Sequence, residues 1–188
     1  MSAATIESQD PISTSATMPS FRSRIIGTWD LVYYIAINLK DSNDVVYPMG
    51  EDAKGQIIYS DDGYMAALLQ EGGLKPFEHD WKHGSTEELA TAAEKTMAYG
   101  GPFYLDEEPG KPQTVVHHAQ ISMHPNLINT LQVRQADLFQ EDGRDHMLLG
   151  PESPTEWEGT QRLLVLKWRK RSQNNATQPP HEARELKL

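Results

Sequence analysis

The feature that most constrains the fold of this chain is a pair of strand-like runs, one near each end. Residues 27–34 (GTWDLVYY) begin with a glycine and a tryptophan and continue with aromatic and β-branched residues typical of strands. Residues 163–169 (LLVLKWR) form a second run of this kind. Together they predict the first and last strands of a small closed antiparallel barrel.

Composition excludes several classes of function. The chain has 188 residues, a formal net charge of −10 and no cysteine. Nucleic acid and anionic membrane surfaces require a basic patch, so neither is an expected partner. The absence of cysteine excludes disulfides and thiolate metal sites. No apolar run approaches the ~20 residues of a membrane span, and residues 1–20 lack the apolar core of a signal peptide, which predicts a cytoplasmic location.

Local composition divides the chain into three parts. Residues 1–20 and 172–188 are rich in small polar residues and proline, which predicts a disordered N-terminal segment and a disordered tail. Residues 21–171 form the predicted folded domain. Its length of about 150 residues suffices to bury a core without covalent staples.

Within the domain, the pattern predicts an all-β fold of about eight antiparallel strands with one amphipathic helix. Residues 61–63 (DDG) predict a hairpin turn between strands. Ser85 and Glu88 have the spacing of a capping box, and the apolar residues that follow predict a helix over about 86–99, stopped by residues 100–102 (GGP). An eight-stranded barrel has an interior that side chains just fill, or that holds one small ligand.

Several motifs in series carry a family resemblance. They are GTWDL at 27–31, YPMG at 47–50, AKGQIIY at 53–59, DGYM at 62–65, AYGG at 98–101, HH at 117–118, PN at 125–126 and LKWR at 166–169. Over residues 22–171 the chain resembles the lipocalin-like domain proteins of microbial genomes, within the calycin superfamily. The resemblance implies a β-barrel with a central cavity. It also implies that Trp29 lies at the closed end of the barrel, packed against Trp168 and covered by Arg169 or Arg162. Many such proteins belong to natural-product pathways for polyketides, terpenoids or alkaloids, where similar barrels act as cyclases, isomerases or pericyclases. It provides no assigned catalytic residues.

The candidate catalytic residues are His117, His118 and Arg134. The two histidines are adjacent on a predicted strand, so they point to opposite faces and only one can serve the cavity as an acid, base or hydrogen-bond donor. The alternation of side chains along the strand does not by itself show which of the two histidines faces the cavity. Arg134 shares a face with Gln132, and the pair either faces solvent or faces inward, where the guanidinium needs an anionic partner such as a ligand carboxylate or enolate.

Aromatic residues supply most of the other candidate ligand contacts. Phenol groups in a cavity can donate hydrogen bonds to a carbonyl, although most are expected to be ordinary strand aromatics. The predicted ligand-binding residues are Trp29, Tyr33, Tyr47, Tyr59, Tyr64, Tyr104, Gln132 and Trp168.

Metal and cofactor chemistry is not expected. His79 and His83 have a spacing that suits a metal on a helix, but Pro76 and Gly84 flank them and no third ligand is near. The segment is instead predicted to be a mobile loop over the barrel mouth. The chain has no nucleophile elbow, phosphate loop or dinucleotide fingerprint.

Three functions remain open from the sequence. The first is a cofactor-independent cyclase or isomerase that holds a small hydrophobic intermediate in a reactive shape. The second is a carrier of a hydrophobic metabolite, and the third is an interaction domain whose barrel is filled by side chains. The sequence leaves the oligomeric state and the ligand unassigned.

Overall fold

The computed structural model of the chain describes residues 19–78, 80, 82–108 and 110–180. Most of the predicted disordered N-terminal segment (1–18) and the end of the predicted tail (181–188) lie outside the described residues. Two helices are α1 (Phe21–Ile25) and α2 (Thr86–Glu94), and a 3-10 turn spans Pro125–Leu127. The strands are β1 (Gly27–Asn38), β2 (Val45–Val46), β3 (Lys54–Tyr59), β4 (Tyr64–Gln70), β5 (Thr96–Asp106), β6 (Thr114–Ala119), β7 (Ile121–Ser122), β8 (Thr130–Glu141), β9 (Arg144–Gly150), β10 (Thr155–Trp157) and β11 (Thr160–Lys170).

Eight of these strands form a closed antiparallel barrel. The order around it is β1, β3, β4, β5, β6, β8, β9 and β11, and β11 returns to pair with β1 from Trp29↔Lys170 to Asn38↔Arg162. β2, β7 and β10 are short additions to this ring. The predicted all-β barrel of about eight antiparallel strands is therefore confirmed.

The predicted hairpin joins β3 to β4. Gly63 has a φ of +93°, a conformation that a side chain would strain. The register then pairs Tyr59 with Met65 and continues to Lys54↔Gln70. Alternation along β4 buries Met65, Ala67 and Leu69 and exposes the residues between them, which fixes the inward face of the sheet.

Helix α2 is shorter than predicted. Ser85 and Glu88 form the predicted capping box, but the helix ends at Glu94 rather than near residue 99. Residues 96–106 form strand β5, which pairs with β4 from Gln70↔Thr96 to Tyr64↔Pro102. The apolar residues up to Met97 have helical spacing, but Thr96 and Met97 belong to β5, which continues through residues 100–102. At Gly101 any Cβ would collide with the carbonyl oxygen of His118, so β5 can pass there only as glycine.

Trp29 closes one end of the core. Its side chain is fully buried, and its indole Nε1 donates a hydrogen bond to the carbonyl oxygen of Ile25 in α1 at 2.8 Å. The cation over its ring is Lys170, whose Nζ lies 5.3 Å from the ring centroid. The predicted covering arginines are elsewhere, because Arg169 is exposed and Arg162 pairs with Asp44. Lys170 takes this place because it is the register partner of Trp29.

A bulge in β1 changes which of its tyrosines faces inward. The register with β11 shifts between Leu31 and Tyr33, and a bulge of this kind reverses the alternation beyond it. After the shift, Tyr34 pairs with Leu166 on the inward face, whereas Tyr33 pairs with Lys167 on the outward face.

Candidate functional site

The barrel encloses a cavity of about 300 Å³. Most of its wall is apolar and consists of Ile57, Ala67, Leu69, Met97, Leu149, Pro151, Leu164, Leu166 and Trp168. The polar groups are contributed by Tyr34, Tyr99, Gln132, Arg134 and Thr155. A mostly apolar wall with a few polar groups is the usual composition of a small-molecule site.

Gln132 and Arg134 lie on the inward face of β8. Alternation there places them with the buried Ala136 and Leu138, and Gln132 is the register partner of the buried His117. Arg134 donates from Nη2 to Oε1 of Gln132 at 3.0 Å and from Nη1 to the carbonyl oxygen of Val133 at 2.9 Å. Gln132 in turn donates from Nε2 to Oγ1 of Thr130 at 2.9 Å. The amide thus orients the guanidinium at the cavity wall.

Arg134 has no carboxylate partner within the described part of the chain. None of the ion pairs formed there, to a limit of 4.0 Å, includes it. The cavity lining contains no aspartate, glutamate or lysine. A guanidinium beside apolar side chains is costly unless an anion or further hydrogen-bond acceptors compensate it.

Trp168, which also lines the cavity, carries a buried donor without an acceptor among the described residues. Its side chain is 1% exposed, and its Nε1 finds no hydrogen-bond acceptor in the described residues. A buried donor without an acceptor costs about 1–3 kcal/mol. Within the described residues, the cavity lining carries one positive charge and no negative charge, which favours a ligand that presents an acceptor oxygen to Arg134.

His117 lies behind the cavity wall between two tyrosines. It is fully buried, its Nε2 is 2.8 Å from the hydroxyl of Tyr59, and its Nδ1 is 2.9 Å from the hydroxyl of Tyr99. Burial, assisted by the nearby positive charge of Arg134, lowers the pKa of His117 to about 3. The imidazole is accordingly neutral near pH 7, with one nitrogen that donates and one that accepts.

The two tyrosines that line the cavity, Tyr34 and Tyr99, and Tyr59 behind its wall stay protonated near pH 7. Burial raises the pKa of Tyr99 and of Tyr34 above the usual value, and it raises the pKa of Tyr59 much further. The charge of Arg134 opposes the shift in all three. These phenols can therefore donate hydrogen bonds, and they are poorly suited to act as bases near pH 7.

The structure brings five of the predicted site residues to the cavity or directly behind its wall. Gln132, Arg134 and Trp168 line the cavity, while Tyr59 and His117 form the hydrogen-bonded layer behind it.

The other predicted site residues lie elsewhere. His118 is on the outer face, where its Nε2 lies 2.9 Å from Oδ1 of Asn129. Tyr47, Tyr64 and Tyr104 are 42%, 54% and 54% exposed, so their rings face solvent. Tyr33 lies on the outward face of β1, and Trp29 is buried at the closed end of the core.

Tyr34 and Tyr99 line the cavity but are absent from the predicted site. The bulge in β1 selects Tyr34 over Tyr33, and a bulge leaves no mark in hydrophobic alternation. Tyr99 was assigned to the end of the predicted helix. If residues 96–106 had been predicted as a strand, the alternation of its side chains would have placed Tyr99 on the same face as Met97.

Only one histidine of the pair considered for metal binding, His83, lies among the described residues. His79 and Trp81 lie outside the described residues. The Nδ1 of His83 is 2.6 Å from a carboxylate oxygen of Asp80, and both side chains are largely exposed. The described residues contain no group of three or more side chains arranged to hold a metal ion.

A larger depression lies between residues 72–78 and α2. Its volume is about 760 Å³, and charged side chains of both signs line it, including Lys75, Lys95, Glu78 and Glu87. No residue of α2 is buried, so this depression lacks the apolar enclosure of the barrel cavity. The barrel interior is the better ligand site.

Comparison with known protein families assigns this architecture. A family model described as a lipocalin-like domain matches residues 26–171. The chain belongs to this lipocalin-like family. The match covers all eight strands of the lipocalin-like barrel, and such a barrel suggests small-molecule binding. Comparison with curated proteins finds no match. Among the described residues, no helix combines the length and apolarity needed to cross a membrane.

Proposed function

We propose that this cytoplasmic lipocalin-like barrel binds a small, largely apolar intermediate of secondary metabolism through an oxygen-bearing end, and guides its cyclisation or isomerisation. The polyketide, terpenoid and alkaloid classes all contain molecules of this kind. Arg134, a guanidinium in the cavity wall with no carboxylate partner among the described residues, is the observation that carries the proposal.

The polar end of the ligand follows from the donors of the cavity. Arg134 can form paired hydrogen bonds to a carboxylate or enolate, which are stronger than neutral ones. Trp168 also lines the cavity, but its indole N–H is buried and has no acceptor among the described residues. A ligand with an anionic or strongly accepting oxygen would satisfy the guanidinium of Arg134.

The apolar end of the ligand follows from the remaining wall. Leu69, Met97, Leu149 and Leu166 surround the space with aliphatic and thioether side chains. A cavity of about 300 Å³ lies at the lower end of the range of about 300–1,000 Å³ typical of ligand pockets. The ligand is thus a compact molecule rather than a long acyl chain.

Any catalysis would depend on shape and hydrogen bonding. The lining contains no carboxylate, and His117 is hydrogen-bonded at both ring nitrogens. The barrel can hold a flexible substrate in a reactive conformation, and Arg134 can stabilise negative charge that develops on an oxygen. Cyclisations and isomerisations that shift electrons toward a carbonyl or carboxylate oxygen need no more than this.

Calorimetric titration with a matched probe pair tests the binding site. 2-Naphthoate carries an anionic carboxylate on a compact apolar body, and 2-naphthamide is its neutral counterpart. The wild-type protein is expected to prefer naphthoate, and Arg134→Met is expected to weaken naphthoate binding at least about tenfold while changing naphthamide little. The exposed Arg169 provides the control Arg169→Met on β11. Equal naphthoate affinity in the wild type and Arg134→Met would contradict the proposal.

Metabolite analysis tests the reaction. In the organism that encodes the chain, deletion of the gene is expected to remove one cyclised or isomerised product and to accumulate its precursor. Incubation of that precursor with the purified protein is then expected to restore the product, with Arg134→Met as the impaired variant. An unchanged set of metabolites after deletion argues against a biosynthetic role.

A carrier of a hydrophobic metabolite is the second candidate. It is favoured by the lack of any carboxylate or free histidine in the cavity lining. A carrier increases the solubility of its ligand and leaves the covalent structure unchanged. Native mass spectrometry of the protein from its own source, followed by extraction and reincubation of the bound molecule, separates the two functions.

A further inference from the structure

The chain Tyr59–His117–Tyr99 has a direction that the structure determines. His117 lies at its centre, with Nε2 2.8 Å from the hydroxyl of Tyr59 and Nδ1 2.9 Å from the hydroxyl of Tyr99. Because a neutral imidazole donates from one nitrogen and accepts at the other, only two arrangements of protons satisfy both contacts. They differ in which tyrosine keeps an uncommitted O–H.

In the first arrangement, Tyr59 donates its O–H to Nε2 of His117, and the Nδ1–H of His117 donates to the oxygen of Tyr99. The proton of Tyr99 is then available to another acceptor. In the second arrangement, Tyr99 donates to Nδ1 and Nε2–H donates to Tyr59, so that the proton of Tyr59 is the uncommitted one.

Burial discriminates between the two arrangements. Tyr59 is 1% exposed, does not line the cavity, and has no hydrogen-bond partner other than His117 among the described residues. An uncommitted O–H at Tyr59 would be a buried donor without an acceptor, which is unfavourable. Tyr99 lines the cavity, where a ligand oxygen or water can accept its proton. The first arrangement is therefore the favoured one.

We propose that His117 is a positioning residue that turns the hydroxyl proton of Tyr99 into the cavity, and that Tyr99 is a ligand-binding donor. The hydrogen bond from His117 to the oxygen of Tyr99 also polarises that hydroxyl and strengthens it as a donor. Tyr99 would thereby supplement Arg134, which lines the same cavity.

This inference rests on the proposed function and specifies the class of ligand. A cavity whose polar groups mainly donate selects a molecule with a carbonyl, enolate or carboxylate oxygen over one that ends in an amine or an ammonium group. During an isomerisation, Tyr99 would stabilise negative charge that develops on that oxygen and would keep its own proton.

Nuclear magnetic resonance of the ligand-free protein tests the direction of the chain. Long-range proton–nitrogen correlation spectra of protein labelled with 15N-histidine distinguish the Nδ1–H tautomer from the Nε2–H tautomer. Comparison with His117→Gln assigns the signals, and His118→Gln, on the outer face of the same strand, serves as the control. His117 is expected to be the Nδ1–H tautomer at neutral pH, and the Nε2–H tautomer would overturn the proposal.

Binding of a second probe pair tests the role of Tyr99. 2-Acetylnaphthalene presents a carbonyl oxygen, and 2-ethylnaphthalene has a similar shape without an acceptor. Tyr99→Phe is expected to weaken the ketone about three- to tenfold and the hydrocarbon hardly at all. Tyr59→Phe, which makes no contact with the ligand, is expected to cause a smaller loss and to mix the two tautomers of His117. The exposed Tyr104 provides the control Tyr104→Phe.

The outcomes separate this inference from the proposed function. Unchanged ketone affinity in Tyr99→Phe, together with weakened naphthoate binding in Arg134→Met, overturns the role of Tyr99 and keeps the ligand site. If no naphthalene binds the wild-type barrel, the ligand-binding role of Tyr99 fails with the proposed function. The tautomer of His117 still decides the direction of the chain by itself.

Discussion

Two arginines point into this barrel, and their surroundings differ. Arg162 on β11 is 7% exposed; its Nη2 donates to both carboxylate oxygens of Asp44 at 3.0 Å, and its Nη1 donates to the carbonyl oxygens of Ala36 and Asp44. Arg134 on β8 donates to one amide oxygen and one backbone carbonyl. Of the three guanidinium nitrogens of Arg162, Nε has no hydrogen-bond partner among the described residues. Asp44 supplies the counter-charge for Arg162, and the described residues supply none for Arg134.

The two arginines have different roles: the charge of Arg162 stabilises the fold, whereas the charge of Arg134 is available to a ligand. Arg162 ties the start of β11 to the end of β1 and to the residue before β2, so its interactions serve the fold. Arg134 imposes a cost on the apo protein that a ligand can offset, and such a cost is common at functional sites. Substitution of each arginine should therefore affect different properties.

Removal of the structural arginine is expected to have the largest effect. Arg162→Met keeps most of the apolar stem and removes the hydrogen bonds to Asp44 and Ala36. Because bonds to charged groups contribute more than neutral ones, we expect a loss of about 1–3 kcal/mol in the free energy of unfolding. Urea denaturation measures this loss. A stability equal to that of the wild type would remove the distinction between the two arginines.

The next test gives Arg134 a carboxylate partner, as Arg162 already has. Gln132→Glu places a carboxylate where an amide oxygen now accepts from Arg134 at 3.0 Å. The new charge competes with the ligand, so naphthoate affinity is expected to fall about tenfold, which corresponds to about 1.4 kcal/mol. The exposed Gln135, on the other face of β8, provides the control Gln135→Glu. Retained affinity in the Gln132 variant would show that the anion is held by other groups.

Arg134 is also expected to change the pH dependence of the free energy of unfolding, by less than the effects given above. Burial first, and the positive charge of Arg134 second, lower the pKa of His117 from its usual value of 6.5 to about 3. Between these two pH values the unfolded state binds the proton and the folded state does not. The free energy of unfolding therefore falls as the pH falls through this window, by at most about 1.4 kcal/mol per pH unit.

Arg134→Met is expected to flatten this slope slightly, because the pKa of His117 rises when the positive charge is removed. The interaction of Arg162 acts in a different window. Hydrogen bonds from Asn38 and then from Arg162 lower the pKa of Asp44, so its contribution is present above the usual pKa of 3.8 and is lost as the pH falls below it. Urea denaturation from pH 2.5 to 7 distinguishes the two variants. A slope between pH 4 and 6 that changes only in Arg162→Met would contradict the assignment.

The smallest expected effect is that of Arg134→Met on stability near pH 7. The variant removes from a mostly apolar wall a guanidinium that no carboxylate of the described residues pairs, so the free energy of unfolding is expected to stay within about 0.5 kcal/mol of the wild type or to increase. Urea denaturation without ligand measures it beside Arg169→Met. A large loss of stability would show that Arg134 is structural in the same sense as Arg162.

The sequence predicted the parts of the fold that local patterns govern. The turn at residues 61–63, the capping box of α2 and the flanking runs that form β1 and β11 are all local signals, and together they fit a closed antiparallel barrel. The end of α2 was predicted too late, because Thr96 and Met97 continue the helical spacing. The choice of strand for these residues is made by pairing with β4, which is a tertiary interaction.

The site was only partly predictable for the same reason. Alternation identified opposite faces for His117 and His118 and a common face for Gln132 and Arg134, but it left open which face was inward. The bulge in β1 then exchanged Tyr33 for Tyr34 at the cavity. The hydrogen bonds that join Tyr59, His117 and Tyr99 link three different strands, and no spacing along the chain encodes them.

The seam between β1 and β11 has a consequence for the order of folding. Gly27–Asn38 and Thr160–Lys170 pair along nearly their whole lengths, although almost the entire barrel separates them in sequence. Contacts at such separation form slowly because loop closure must precede them. Until the seam closes, β1 and β11 present open edges that can recruit other chains. A ligand that touches Tyr34 and Leu166 spans the seam, so it would retard amide exchange there and suppress aggregation of the nascent protein.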